Sequence, residues 1–111
     1  MVILRSNPFG SSTRTRALIA LQLLGESYAR ELARLLDAPL SGVQMALRTL
    51  ERDGIVVARN MGRTRVYQLS PRYFAARELT AYLARLAEVE PEIRAATDML
   101  RRRPRRTGKP L

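Results

Sequence analysis

Among the side chains able to do chemistry in this 111-residue chain, arginine dominates: 20 residues are basic, all but Lys109 being Arg, against 10 Asp and Glu, with no Cys and no His. That inventory leaves out disulfides, thiolate and imidazole metal ligands, Cys nucleophiles and every His-based general base. Ser41, Tyr28 and the scattered carboxylates have no base beside them that the sequence identifies, so no enzyme and no cofactor are expected. Contact chemistry remains. A guanidinium group takes phosphate oxygens and, as a bidentate fork, the edge of a guanine. A formal net charge of +10 points to a polyanionic partner.

The residues best suited to reading such a partner lie between positions 41 and 52. Val43, Ala46, Leu47 and Leu50 fall at helical spacing, and the opposite face carries Ser41, Gln44, Met45, Arg48, Thr49 and Arg52. Each of these can hydrogen bond or touch a methyl group. Arg48 is the candidate for a guanine O6 and N7, Gln44 for adenine or a bridging water, Met45 for a thymine methyl, and Thr49 completes the base-reading set. Ser41, at the helix N-terminus, is placed for phosphate. For each the alternative is a side chain that only faces solvent. Arg63 and Arg65, flanked by Arg59, form a second basic group, and Arg14, Arg16, Arg30 and Arg52 are further phosphate candidates.

The charge is unevenly spread. Six basic residues follow Leu100, namely Arg101, Arg102, Arg103, Arg105, Arg106 and Lys109, which leaves residues 1–100 at +4. Pro104, Gly108 and Pro110 among like charges mark residues 104–111 as a disordered basic tail, either a non-specific phosphate-binding arm or a solubilising end. The preference for Arg over Lys also fits the codon composition of a GC-rich genome. A case for nucleic acid therefore rests on where the arginines of the body sit.

Positioning them requires a series of short elements. Ser11, Ser12 and Thr13 are N-cap candidates for a first helix that Gly25 ends, with Ala17, Leu18, Leu21 and Leu24 on one face. Ile19 and Leu23 make another face apolar, which calls for a second contact surface. Tyr28 to Asp37 carries Ala29, Leu32, Ala33 and Leu36 at helical spacing, and Pro39 interrupts it. Ser41 and Gln44 then read as a capping box opening a helix over roughly 42–53, ended by Gly54 in a left-handed conformation. Two amphipathic helices joined by a short turn form a helix-turn-helix pattern, although a helical hairpin in any small bundle leaves a similar record. Ile55 to Arg59 and Arg65 to Leu69 follow as strands around Asn60-Met61-Gly62-Arg63-Thr64, with Tyr67 and Leu69 expected to pack with Ile55 and Val57. A helix-turn-helix followed by an arginine-tipped hairpin is a winged helix.

After Ser70, with Pro71 expected in a helix first turn, Leu79, Leu83, Leu86, Ile93, Ala96 and Leu100 continue an apolar stripe with Tyr82 alongside, and Pro91 starts a new helix or kinks one. Either this stripe folds back on its own domain or it pairs with a second copy. The second is expected, giving a homodimer interface of Ile19, Leu23, Leu79, Tyr82, Leu83, Leu86, Ile93 and Leu100.

At this point residues 29–71 resemble the winged helix-turn-helix transcriptional regulators of the ArsR-like class. The step from the third helix to the wing, Arg48, Leu50, Glu51, Arg52, Asp53, Gly54 and Ile55, and the wing from Gly62 to Leu69 carry the likeness. Residues 8–14 and 70–83 are also similar to winged-helix modules found beside nucleotidyltransferase domains. The resemblance implies a DNA-binding regulator. Where metal-sensing members of the class carry Cys-x-Cys, this chain aligns Tyr28 and Arg30, which implies a regulator without that switch. Glu88, Glu90 and Glu92 read as a solvated acidic patch.

The fold expected is mainly α with a small β-hairpin wing: an N-terminal arm over 1–11, a winged helix-turn-helix over 12–70, a C-terminal helical dimerisation segment over 71–103, and the tail. The function expected is sequence-specific binding of double-stranded DNA by a dimeric repressor, with helix 41–53 in the major groove and wing 59–65 on the minor groove or phosphates. No segment is apolar for the ~18 residues a bilayer span needs and the first residues lack a leader pattern, so a cytoplasmic, nucleoid-associated location is expected. A small-molecule effector is left open. The rival readings are a non-specific architectural DNA-coating protein and an antitoxin-like partner of a separately encoded enzyme.

Overall fold

Ser11 starts the first helix, its Oγ accepting from the backbone N–H of Arg14 at 3.1 Å, and Gly25 closes it. In the computed structural model, which describes residues 8–102, this helix α1 (Ser12–Leu24) is followed by β1 (Ser27–Tyr28), α2 (Ala29–Leu36), α3 (Leu40–Arg52), β2 (Val56–Met61), β3 (Thr64–Leu69), α4 (Ala76–Ala87) and α5 (Pro91–Arg102). The strands form one antiparallel sheet in the order β1-β3-β2. Among these residues no helix is long and apolar enough to cross a membrane.

The core is organised around α1. Ala17, Leu18, Ile19, Ala20 and Leu21 are all fully buried, and five successive residues at roughly 100° each run right round a helix. The second surface that helix one calls for is supplied within the same chain: α4 and α5 pack against it, as do α3 and β3. Pro91 opens α5 as a separate helix after the turn at Glu88–Glu90, which brings α5 against both α1 and α2.

This arrangement corrects the expected dimer interface. Ile19, Leu79, Leu83, Leu86 and Ile93 are buried in the chain's own core together with Leu18, Leu47 and Leu50, so the C-terminal stripe folds back on its own domain. Of the eight residues expected at the interface, Leu23 and Leu100 are half-buried and Tyr82 is exposed, its ring 6.1 Å from that of Phe9. Pro71 is not in a helix; residues 70–75 form successive turns, and α4 begins at Ala76. The basic tail, 104–111, and most of the N-terminal arm lie outside the described residues.

The sheet shows a second correction. The N–H of Ile55 closes the end of α3 on the carbonyl of Leu50 at 2.9 Å, so β2 begins one residue later than expected. The faces are set by the pairing register, which lies one residue from the one that would put Val57 beside Tyr67 and Leu69, and a one-residue slip in register exchanges the faces. Val56 and Ala58 therefore pair with Leu69 and Tyr67 and share their face, with Val56 buried and Val57 exposed. The hairpin tip is also tighter than expected, only Gly62 and Arg63 separating the paired Met61 and Thr64. Gly62, at φ 62°, supplies the positive φ that a two-residue II′ connection needs at its first position.

Candidate nucleic-acid interface

Three residues, Asp37, Ala38 and Pro39, join α2 to α3. Asp37 takes a left-handed conformation at φ 53°, and the N–H of Ala38 donates to the Ala33 carbonyl at 2.9 Å, ending α2 as Pro39 opens α3. The expected capping box does not form: α3 starts at Leu40, its N-cap is Pro39 without a side-chain bond, and Ser41 sits exposed inside the first turn. At the other end Gly54 is left-handed at φ 79°, as expected, its N–H donating to the Glu51 carbonyl at 3.0 Å.

Between these ends α3 is divided by burial. Val43, Ala46, Leu47 and Leu50 face the core, against α1 and α2. Ser41, Gly42, Gln44, Met45, Arg48 and Arg52 are exposed, and Thr49 is half-buried. Met45 stands 63% exposed, a long apolar side chain that this chain's own core does not claim. The outward face is thus a run of hydrogen-bonding groups and one methyl-seeking side chain on a helix fixed from behind. Arg52 makes a loose pair with Asp53, 3.6 Å, with both side chains at least half exposed.

The arginines of the wing fall into three different settings because side chains alternate along a strand. Arg65 shares the face of Tyr67 and Leu69, lies 5.9 Å from the Tyr67 ring centroid, and reaches Glu51 of α3 at 2.6 Å and Asn60 Oδ1 at 3.4 Å. The hydrogen bond that Arg65 donates to Glu51, reinforced by the negative charge of that carboxylate, raises the Arg65 pKa above the ordinary guanidinium value. Arg59 points to the other face, where it donates to Glu26 at 2.8 Å and to Gln68 Oε1 at 3.3 Å. Arg63, at the tip beside Gly62, is exposed and has no ion pair among the described residues.

The remaining phosphate candidates also separate. Arg16 donates to the carbonyl of Leu36 at 3.2 Å, satisfying the C-terminal end of α2, and Arg14 donates to the carbonyl of Phe9 at 2.9 Å. Both are partly buried and held by their own backbone. Arg30 is exposed on α2, where with Ala33, Arg34, Asp37, Ala38 and Leu40 it lines a shallow hollow of about 390 Å³ beside the turn. β1 and the pairing of Glu26 and Glu51 with the wing arginines left no signal in the sequence. A two-residue strand has no alternation to detect, and carboxylates that pair across 14 or 33 residues are found only once the register is known.

The sequence matches no described protein family and no curated protein. The fold does have solved counterparts. The chain is similar to the adhesin competence repressor AdcR of Streptococcus pyogenes, at 14% identity and a TM-score of 0.59 over 84% of this chain and 67% of that one. It is similar to a mutant of Lactococcus lactis ZitR in complex with DNA, at 17% identity and a TM-score of 0.57 over 82% and 68% of the two chains. A MarR-family transcriptional regulator from Silicibacter pomeroyi aligns at 25% identity and a TM-score of 0.51 over 83% and 58%. This is the winged-helix fold. The chain spans between 58% and 68% of the length of these three structures.

Proposed function

We propose that this chain binds double-stranded DNA sequence-specifically and regulates transcription as a homodimeric repressor of the ArsR-like kind. The observation that carries the reading is the outward polar face of α3, Ser41 to Arg52, on the same unit as a wing tipped by Arg63, which has no ion pair among the described residues. The major groove of B-form DNA admits one α-helix. With α3 there, Arg48 takes a guanine edge, Gln44 an adenine or a water, Met45 a thymine methyl, Thr49 an adjacent base, and Ser41 a phosphate. Arg63 reaches the neighbouring minor groove or its phosphates, and Arg30 and Arg52 add backbone contacts. The structural neighbours support this reading: one is named as a repressor and another was solved with DNA.

A homodimer presents two copies of α3 to half-sites about one helical turn apart. Since most of the apolar stripe is used inside the chain, the second copy meets what remains at the surface, Tyr82, Leu23 and Leu100. Repression needs only occlusion of a promoter, which a small DNA-binding unit supplies without further contacts. Such a protein works in the cytoplasm on the nucleoid.

Selection of bound duplexes from a random pool, with the mass of the protein in solution measured alongside, tests the reading. A pseudopalindromic consensus and a dimer mass are expected; a pool that does not enrich contradicts it.

A further inference from the structure

Two carboxylates stand against the wing arginines, although a surface meant for a polyanion gains nothing from acid groups unless they do something else. Glu26 lies before β1 and holds Arg59 of β2; Glu51 lies in the last turn of α3 and holds Arg65 of β3. The second pair matters more for geometry, because it joins the outward-facing helix directly to the hairpin. The hairpin beyond this point is thinly supported. Its tip residues Met61 to Arg65 are all exposed, and Val66 is the first buried residue on the returning strand. Arg65 lies just before it, packed over Tyr67 and bonded to both Glu51 and Asn60.

We propose that Glu51 and Arg65 form a clasp that fixes the wing at a set distance and angle from α3, so that Arg65 positions Arg63 and does not itself bind phosphate. This rests on the DNA-binding reading above and assigns Glu51 a role in it. A phosphate on the remaining N–H groups of Arg65 would sit beside the Glu51 carboxylate, whose charge opposes it. With the clasp closed, the two charges neutralise each other and the tip guanidinium of Arg63 is the cation the wing extends. The mixed-charge wing then makes sense as one positioned contact carried by a braced hairpin.

The sign of one substitution separates this from simple electrostatics. If Glu51 only repels the duplex, Glu51→Gln strengthens binding; if it positions the wing, Glu51→Gln weakens it. The experiment measures binding of the full chain to a mixed-sequence DNA duplex at several salt concentrations, for Glu51→Gln, Arg65→Gln, both together, Arg63→Gln, and Arg63→Gln with Arg65→Gln. Hydrogen exchange at the amides of residues 61–66 is followed in the free proteins. We expect Glu51→Gln and Arg65→Gln each to weaken binding by roughly threefold to tenfold, about the weight of one phosphate contact. The double variant is no weaker than either single one. Arg63→Gln lowers the salt slope by about one, Arg65→Gln adds nothing to it in that background, and wing amides exchange faster without the clasp. Tighter or unchanged binding by Glu51→Gln overturns the proposal, as does a further fall in slope when Arg65→Gln is added to Arg63→Gln. If the wild-type chain binds no duplex, the DNA-binding reading fails by itself; exchange equal in all variants then overturns the clasp, and faster exchange supports it.

Discussion

At the level of single residues, the side chains open to a partner are those that the fold leaves without internal work. Arg48 is exposed on α3 and none of the hydrogen bonds or ion pairs among the described residues occupies it, whereas Arg16 and Arg14 serve backbone carbonyls and Arg59 and Arg65 serve carboxylates. A bidentate guanine contact discriminates against the wrong base by about 1–3 kcal/mol. Arg48→Ala is therefore expected to flatten preference at one position of each half-site while binding to random duplex falls little, measured by competition between selected and scrambled duplexes. An equal loss on both sequences would make Arg48 a phosphate contact. The outward set on α3 was legible from spacing alone, since burial of Val43, Ala46, Leu47 and Leu50 forces Gln44, Met45 and Arg48 outward. The roles of the wing arginines were not legible. Residue type says that Arg59, Arg63 and Arg65 are cations, but which of them already has a partner depends on strand parity and on acids distant in sequence.

At the level of elements, the helix-turn-helix and the hairpin were readable because each has a local cause: Pro39 and left-handed Asp37 for the turn, Gly54 for the end of α3, Gly62 for the hairpin. Two features had causes that are not local. The register of β2 on β3 put Val56, not Val57, on the face of Tyr67 and Leu69, and the C-terminal stripe packed on α1 because α1 is apolar all the way round. From sequence, an all-apolar helix and a long apolar stripe are equally consistent with pairing inside one chain or between two. Leu83 distinguishes them, being fully buried within a single chain. Leu83→Ala should cost about 2–5 kcal/mol of unfolding free energy without raising the dimer dissociation constant, as measured by urea unfolding and sedimentation. A stable fold with weakened self-association would return Leu83 to an interface. At the surface, Tyr82→Ala should do the opposite, weakening self-association while leaving the unfolding of the monomer within about 1 kcal/mol.

For the whole molecule, the excess of positive charge has to be judged by what is left after internal pairing. Arg59, Arg65, Arg52 and Arg85 each have an acid within 4 Å; of the exposed arginines with none among the described residues, Arg30, Arg34, Arg48 and Arg63 lie on α2, α3 and the wing, while Arg72, Arg77, Arg94, Arg101 and Arg102 lie before and on α4 and on α5. If a dimer makes about 6–10 phosphate contacts, its affinity for duplex DNA should fall by roughly 10³–10⁵ between 50 and 200 mM salt. A nearly flat salt response would remove the electrostatic part of the account. The most direct measurement is the change in backbone amide resonances when an isotope-labelled protein is titrated with its selected duplex. The account predicts that the largest changes fall on Ser41 to Arg52 and on Gly62 and Arg63, with α4 and α5 little affected. Changes concentrated on α4 and α5, with α3 and the wing tip unmoved, would contradict it.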